Sequence, residues 1–153
     1  MFGLPIRFLS LFFGIISILS FFNIIYSYYL NLYLNLDTYY LSLIISLVIS
    51  ILFYKIGVTE KIDIYKKILT VFLGYILLPL VLSIPFYFSI YNLTFLNSFF
   101  EAISGFTSTG FTIFENIKHI DQSLILWRSS TQWIGGLYFL FSGKKFVFFD
   151  FTI

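Results

Sequence analysis

Four long apolar stretches run along this sequence, and more polar segments separate them. The first extends from about Ile6 to Tyr29, and the second, "YYLSLIISLVISILFY", covers residues 39–54. The third extends from about Ile68 to Ile90, and the fourth from about Leu124 to Phe141. Because a membrane-spanning helix needs roughly 20 predominantly apolar residues, the pattern predicts an all-α membrane protein with four transmembrane helices.

The segment between the third and fourth stretches, residues 92–122, is too polar to span a membrane and too apolar for an aqueous loop. Its first part, about Phe95 to Gly105, predicts a short helix capped by Thr94, with Asn97 completing a weak capping box. The hydroxyl- and glycine-rich stretch "SGFTSTGFT" comes next, at Ser104 to Thr112. Non-helical backbone persists at membrane depth only where protein buries it or where it lines a water-filled cavity. The pattern therefore predicts one re-entrant pore helix and a filter loop.

Such a loop has the oxygen ligands that a cation-conducting pore needs. Backbone carbonyls can replace the hydration shell of an ion, and glycine permits the unusual backbone angles that align them. The short helix would direct the negative end of its dipole at the cation. Two other interpretations stay open: a plain connector between helices, and a phosphate-binding nest. The nest is disfavoured because the lysine of a P-loop is missing.

Composition agrees with lipid as the solvent and excludes several functions. Hydrophobic residues make up 59% of the chain and charged residues only 10%, against about 25% charged in typical globular proteins. The absence of cysteine excludes disulfides, iron–sulfur clusters and thiol catalysis. A single histidine, His119, cannot build a metal site and is interpreted as a solvated loop residue. With a net charge of +2 and no catalytic or cofactor motif, we expect no nucleic acid, no enzymatic activity and no cofactor.

The distribution of lysine and arginine predicts the orientation in the membrane. With the N-terminus in the cytoplasm, seven of the nine basic residues lie inside: Arg7, Lys55, Lys61, Lys66, Lys67, Lys144 and Lys145. Lys118 and Arg128 lie outside. Basic residues concentrate on the cytoplasmic side of membrane proteins, so this asymmetry predicts that both chain ends are cytoplasmic and that residues 92–122 face outward.

Two motifs near the predicted loop carry a resemblance to a known family. "FFEAISGFTSTGFT" at residues 99–112, with "LILWRSSTQWIGGL" after it at residues 124–137, resembles the Trk/Ktr/HKT family of potassium transporters, and in particular its TrkH-like uptake permeases. Members carry FFE…S-[GA]-x-T-x-T-G-x-[ST] in the first pore loop and [FLW]-[WY]-R-x-x-x-Q-W-x-G-G at the start of the next helix. A weaker similarity extends upstream, so the resemblance covers roughly residues 1–137.

The resemblance implies an architecture and a set of partners. Family members build a pore from four helix–pore loop–helix units, and some carry an additional N-terminal helix pair. Residues 1–54 resemble that pair, residues 55–66 a basic cytoplasmic loop, and residues 67–141 the first unit. The implied function is potassium uptake across the inner, or plasma, membrane. Family members form homodimers and work with cytoplasmic nucleotide-binding regulatory subunits.

The resemblance also places the selectivity filter for K⁺. It corresponds to Thr107, Ser108, Thr109 and Gly110. In the family a glycine at the last of these positions accompanies potassium selectivity, and a serine there accompanies sodium in some plant members. Gly110 therefore favours K⁺ as the transported ion.

The helix after the loop carries polar residues that suggest structural support. Arg128 and Gln132 share a helix face with Gly135 and Gly136, and this face could hold the pore helix closely. A buried carboxylate at Glu101 would need a partner. Two interpretations of Arg128 stay open: pairing with that carboxylate, or extending its side chain to the outer interface.

Two further expectations concern the fourth stretch and the C-terminal tail of the chain. Trp133 is expected to be a buried packing residue. After Gly136 the sequence departs from the family, and residues 142–153 form a divergent tail, for which truncation of a longer permease is the simplest explanation. The alternative function is a small non-transporting membrane protein, or a decayed remnant, with a structural or interaction role.

Overall fold

The computed structural model describes residues 6–57, 64–115 and 120–147, with side chains described as far as residue 143. His119 and Lys118, and the tail beyond residue 147, lie outside this range. The described residues form six helices: α1 (Arg7–Tyr29), α2 (Leu36–Ile56), α3 (Ile64–Leu82), α4 (Ile84–Tyr87), α5 (Phe95–Phe106) and α6 (Gln122–Val147).

Three helical segments of the described chain are long and apolar enough to cross a membrane. They are α1, α2 and the stretch Ile64–Tyr87, which combines α3 and α4. The prediction of an all-helical protein with membrane-spanning helices is confirmed to this extent. The fourth predicted span, α6, is a helix of 26 residues, which extends about 39 Å. Its serines, Gln132 and Arg128 lower its apolar character, so the count of four spans stays a prediction.

The third apolar stretch is interrupted near its end. α3 ends at Leu82, and the short α4 begins at Ile84 with Pro85 in its first turn. Proline is well tolerated there because the first N–H groups of a helix have no intrahelical acceptor. Ser83 remains connected to the preceding helix, since its amide donates to the carbonyl of Pro79 at 2.9 Å.

α1 and α2 pack as a hairpin along a row of serines. Ser20 Oγ donates to Ser42 Oγ at 3.3 Å, and Ser50 Oγ donates to the carbonyl of Ser10 at 2.7 Å. Small residues let helix backbones approach closely where lipid removes the hydrophobic drive for association. The hairpin is therefore held by close packing and by hydroxyl hydrogen bonds.

The hairpin shares a core with the later helices of the chain. Tyr138 of α6 lies at the centre of this core, with its ring centroid 4.8 Å from that of Phe12, 5.2 Å from Tyr75 and 5.5 Å from Phe106. Its hydroxyl donates to the carbonyl of Val71 at 3.0 Å. One aromatic cluster thus joins α1, α3, α5 and α6.

A buried polar cluster joins the same parts at the other end of α1. Asn23 Nδ2 donates to the carbonyl of Ser123 at 3.2 Å, and the hydroxyl oxygen of Tyr39 lies 2.9 Å from Ser123 Oγ. Asn35 Nδ2 donates to Asp121 Oδ2 at 2.9 Å. The segment that leads into α6 is therefore fixed against the hairpin.

The expectation that Trp133 is buried is wrong. Its side chain is 65% exposed, whereas Trp127 is fully buried and donates its indole N–H to the carbonyl of Leu82 at 3.0 Å. The packed face of α6 contains Leu124, Trp127, Thr131, Ile134 and Tyr138. These positions recur at helical spacing, and Trp133 falls on the opposite face.

Candidate ion-binding loop

The short helix α5 leads into the candidate site. Its N-terminus is capped as the sequence predicts, because Thr94 Oγ1 accepts a hydrogen bond from the amide of Asn97 at 3.3 Å. Its inner face carries Ser98, Glu101, Ala102 and Gly105, all of them buried, and α6 packs against it. The helix ends at Phe106, one residue beyond the predicted end.

The loop after α5 begins with a tight reversal. The amides of Thr109 and Gly110 both donate to the carbonyl of Ser104, at 3.0 and 3.3 Å. Ser108 and Gly110 have positive φ angles of 56° and 81°. Glycine adopts such an angle without the steric cost that a Cβ brings, which gives Gly110 a local structural reason to be glycine.

The predicted filter residues lie on the exposed side of this reversal. Thr107, Ser108, Thr109 and Gly110 are all exposed. Thr107 Oγ1 is 2.7 Å from Thr109 Oγ1 and donates to the carbonyl of Ile103 at 2.8 Å. In the described part of the chain, the carbonyls of Thr107, Ser108 and Thr109 accept no hydrogen bond. The loop thus presents oxygen atoms on one surface.

A buried carboxylate holds the far end of the loop. Glu101 is fully buried. Its Oε1 accepts hydrogen bonds from Thr112 Oγ1 and from the amide of Ile113, both at 2.6 Å. Its Oε2 accepts from Arg128 Nε at 3.1 Å. Two interpretations of Arg128 were open: pairing with Glu101, or extension to the outer interface. In the structure, Arg128 forms the ion pair with Glu101.

Arg128 also binds the loop itself. Its Nη2 donates to the carbonyls of Gly110 and Phe111, at 3.1 and 3.2 Å. The guanidinium group is planar and presents several N–H donors in fixed directions, so one side chain serves the carboxylate and two carbonyls at once. Ser104 Oγ adds a second hydrogen bond to the carbonyl of Phe111, at 2.7 Å. The carbonyl of Gly110 is consequently occupied by Arg128.

The contact between α5 and α6 leaves no room for side chains at two glycines. A Cβ on Gly135 would overlap the carbonyl oxygen of Phe106, and a Cβ on Gly105 would overlap Thr131 Oγ1. A Cβ on Gly136 would meet no atom of the described residues within 4 Å. Gln132 is half-buried and makes no hydrogen bond within the described chain.

The supporting face of α6 therefore differs in part from the predicted one. Arg128, Thr131 and Gly135 contact α5 and its loop, whereas Gln132 and Gly136 lie beside this contact. Sequence reasoning missed Thr131, as well as Ser104 and Thr112, which hold the loop from the other side. The signal for Thr131 was its position three residues after Arg128 and four before Gly135, which places it on their face.

This arrangement defines a class of protein: a helical membrane protein in which a short helix and an oxygen-rich loop are fastened between longer helices. No group of three or more histidine, cysteine, aspartate or glutamate residues within the described chain could hold a metal ion. Carbonyl and hydroxyl oxygens such as those of the loop are the ligands found in ion-selectivity filters.

Comparison with known proteins places the chain beside cation transporters. It is 28% identical over 127 residues to an uncharacterized cation transporter of Methanocaldococcus jannaschii, an alignment that covers 81% of this chain and 27% of that protein. It is 42% identical over 60 residues to the Trk system potassium uptake protein TrkI of Halomonas elongata, covering 39% of this chain and 11% of TrkI. It is 39% identical over 46 residues to the potassium uptake protein TrkG of Escherichia coli, covering 30% of this chain and 10% of TrkG.

These similarities confirm the resemblance to Trk-type transporters. The chain is similar to the Trk potassium uptake proteins, and the three long apolar helices among its described residues support a multi-pass membrane protein. It spans about a quarter of the length of the archaeal relative and about a tenth of TrkI and TrkG. No family model and no solved structure matches the chain.

Proposed function

We propose that this chain contributes one pore unit to a potassium uptake transporter of the inner membrane. The observation that supports the proposal is the clamped loop: a buried ion pair between Glu101 and Arg128 fixes a turn whose hydroxyls and carbonyls are exposed. Relatives that share part of this sequence are named as potassium uptake proteins and a cation transporter.

The proposed mechanism is passive movement of K⁺ down its electrochemical gradient past the loop. The ion exchanges water for oxygens of Thr107, Ser108 and Thr109, whose carbonyls have no other partner in the described chain. The C-terminal end of α5 meets the loop, so the negative end of its dipole favours a cation there. Arg128 neutralises the nearby Glu101, and selectivity is assigned to the backbone rather than to that carboxylate.

The proposal includes a division of the chain. Residues 1–54 form a supporting helix pair, residues 55–66 a cytoplasmic loop, and residues 67–141 the unit that carries α5 as a re-entrant pore helix. α6 forms the fourth span. One loop supplies only part of the ring of oxygen atoms that surrounds an ion in a selectivity filter. Equivalent units therefore complete the filter. The homodimer and the cytoplasmic nucleotide-binding subunit belong to the same proposal.

Replacing Gly110 tests the position of the filter. In a chimaera in which residues 67–141 replace the similar segment of TrkG, Gly110→Ser is expected to lower the K⁺/Na⁺ selectivity by about tenfold. A serine must adopt the φ angle of 81°, at a cost of order 1 kcal/mol or more, and relief of this strain would shift the neighbouring carbonyls. The measurement is Rb⁺ and Na⁺ uptake, normalised to the amount of protein in the membrane.

Ser108→Ala is the matched control, because alanine keeps the backbone carbonyl at this position. Its selectivity should stay within about twofold of the unsubstituted chimaera, since only a hydroxyl group is lost. If Ser108→Ala abolished the selectivity and Gly110→Ser left it unchanged, the filter would have been placed on the wrong residues.

Orientation in the membrane can be tested with single cysteines, since the chain has none of its own. Glu115 and Tyr65 are both exposed, after the loop and in the first turn of α3 respectively. Cysteine at Glu115 should react with an impermeant maleimide added to intact cells, and cysteine at Tyr65 only after permeabilisation. The reverse pattern would overturn the cytoplasmic assignment of the N-terminus.

A further inference from the structure

A groove of about 470 Å³ lies between α1 and α2, at the end where α1 begins and α2 finishes. Its walls are apolar along most of their length, and Leu11 and Ile51 are exposed on the outer face of the helix pair. Gly14 and Ser50 also line the groove, and their small size leaves space between the helices. Because α1 and α2 are long and apolar enough to cross a membrane, this surface is suited to contact with lipid.

Two basic side chains line the mouth of the groove. Arg7 belongs to the first turn of α1 and Lys55 to the last turn of α2, and both are exposed. The two turns are brought together by Gly57, whose missing side chain lets its backbone lie against the backbone of Arg7. The groove therefore combines a cationic mouth with an apolar channel.

The arginine at this mouth is held in a defined place. Its guanidinium carbon lies 4.3 Å from the ring centroid of Tyr54, which is also part of the groove wall. Stacking on an aromatic face orients a guanidinium and leaves its N–H groups available at the edges. Neither Arg7 nor Lys55 forms a salt bridge within the described residues. Their charges are thus available to an anionic ligand.

We propose that this groove binds an anionic phospholipid, with its phosphate between Arg7 and Lys55 and one acyl chain along Leu11, Gly14 and Ile51. A lipid matches both halves of the groove at once: basic pockets between helices at the cytoplasmic face bind anionic head groups, and hydrocarbon fills the apolar part. The assignment depends on the helix pair lying in a membrane and not on ion transport through the loop.

Competitive lipid binding tests this site. The full chain is incorporated into nanodiscs that contain equal amounts of phosphatidylglycerol and phosphatidylcholine, and the lipids retained after release are counted by native mass spectrometry. Phosphatidylglycerol should be retained in preference. Removing both charges, with Arg7→Gln and Lys55→Gln together, should reduce this preference at least tenfold, since the bound phosphate loses two direct cationic contacts, each worth roughly fivefold.

The matched control is Lys66→Gln with Lys67→Gln. It removes the same charge on the same predicted side of the membrane, but these residues do not line the groove. The control should keep the preference within about twofold. An equal loss in both double variants would mean general attraction to anionic membranes, and would overturn the proposed site.

A separate competition experiment tests whether the apolar part of the groove contributes to binding. Millimolar inorganic phosphate or glycerophosphoglycerol should leave the retained phosphatidylglycerol unchanged, because neither can occupy the groove along Leu11 and Ile51. Full displacement by either compound would identify a soluble phosphate site instead of a lipid site. Both substituted side chains are exposed, so the variants should elute as the unsubstituted chain does in size-exclusion chromatography.

Discussion

Gly135→Ala is expected to destabilise the protein by roughly 3 kcal/mol, which is the upper end of the usual cost of overpacking. A Cβ at this position would overlap the carbonyl oxygen of Phe106, at the C-terminal end of α5. The obstacle is backbone, and α5 and α6 would have to move apart because no rotamer change can relieve the overlap. The ion pair and the Arg128 hydrogen bonds to the loop depend on that separation.

Gly136→Ala is the matched control at the next position. Nothing among the described residues lies within 4 Å of a Cβ there, so alanine should fit without strain. Alanine is favoured over glycine in a helix by about 1 kcal/mol, and the control should therefore be neutral or slightly stabilising. The free energy of unfolding can be measured by titration with SDS in mixed micelles, with fluorescence of the buried Trp127 as the signal. Equal effects of the two substitutions would contradict the close approach at Gly135.

The pair of glycines also illustrates how far sequence reasoning could go. Spacing places both Gly135 and Gly136 near the face of Arg128, at i+7 and i+8, and it cannot distinguish them. The distinction depends on where the end of α5 crosses α6, which is a property of tertiary packing. Spacing places Thr131 on the same face, but only the crossing point shows that it lies against Gly105.

Element positions were predicted where the chemistry is local. The first apolar run predicted both ends of α1 to within one residue, and Thr94 as a capping residue predicted the start of α5. α2 extends beyond the predicted 39–54 because Asp37 in its first turn and Lys55 in its last turn suit the helix dipole. The break at Ser83 lies inside a continuous apolar run, and hydropathy alone does not mark it.

Removal of Arg128 should be among the most damaging changes to this chain. Arg128→Leu leaves the carboxylate of Glu101 fully buried without its cation, and breaking a buried ion pair in this way costs about 3–5 kcal/mol. It also releases the carbonyls of Gly110 and Phe111.

Glu101→Leu should cost less from the charge, because the Arg128 side chain is 14% exposed and can reach solvent. That variant still leaves the amide of Ile113 and the hydroxyl of Thr112 without their acceptor.

A double-mutant cycle separates the interaction from these individual losses. The double variant, Glu101→Leu with Arg128→Leu, removes both charges and should be only about 1–2 kcal/mol less stable than Glu101→Leu alone, for the lost hydrogen bonds to Gly110 and Phe111. The coupling energy between the two positions is then expected to be about 3 kcal/mol, at the upper end for residues in contact. The same SDS titration measures all four proteins. Additive effects would show that the ion pair contributes nothing to stability, and Glu101 would then have to be satisfied by Thr112 and Ile113 alone.

Arg128→Lys distinguishes charge from geometry in the same cycle. Lysine keeps the cation beside Glu101, so most of the stability should remain, with a loss of about 1–2 kcal/mol for the hydrogen bonds to Gly110 and Phe111. One ammonium group cannot reproduce the directions in which the guanidinium serves the carboxylate and both carbonyls. The loop should therefore become mobile while the helices stay packed. Hydrogen exchange should speed up for the amides of Thr109 and Gly110 and stay unchanged in the middle of α6. If exchange in the loop is unaffected, Arg128 acts only as a counter-ion and the loop is held by Ser104 and Thr112.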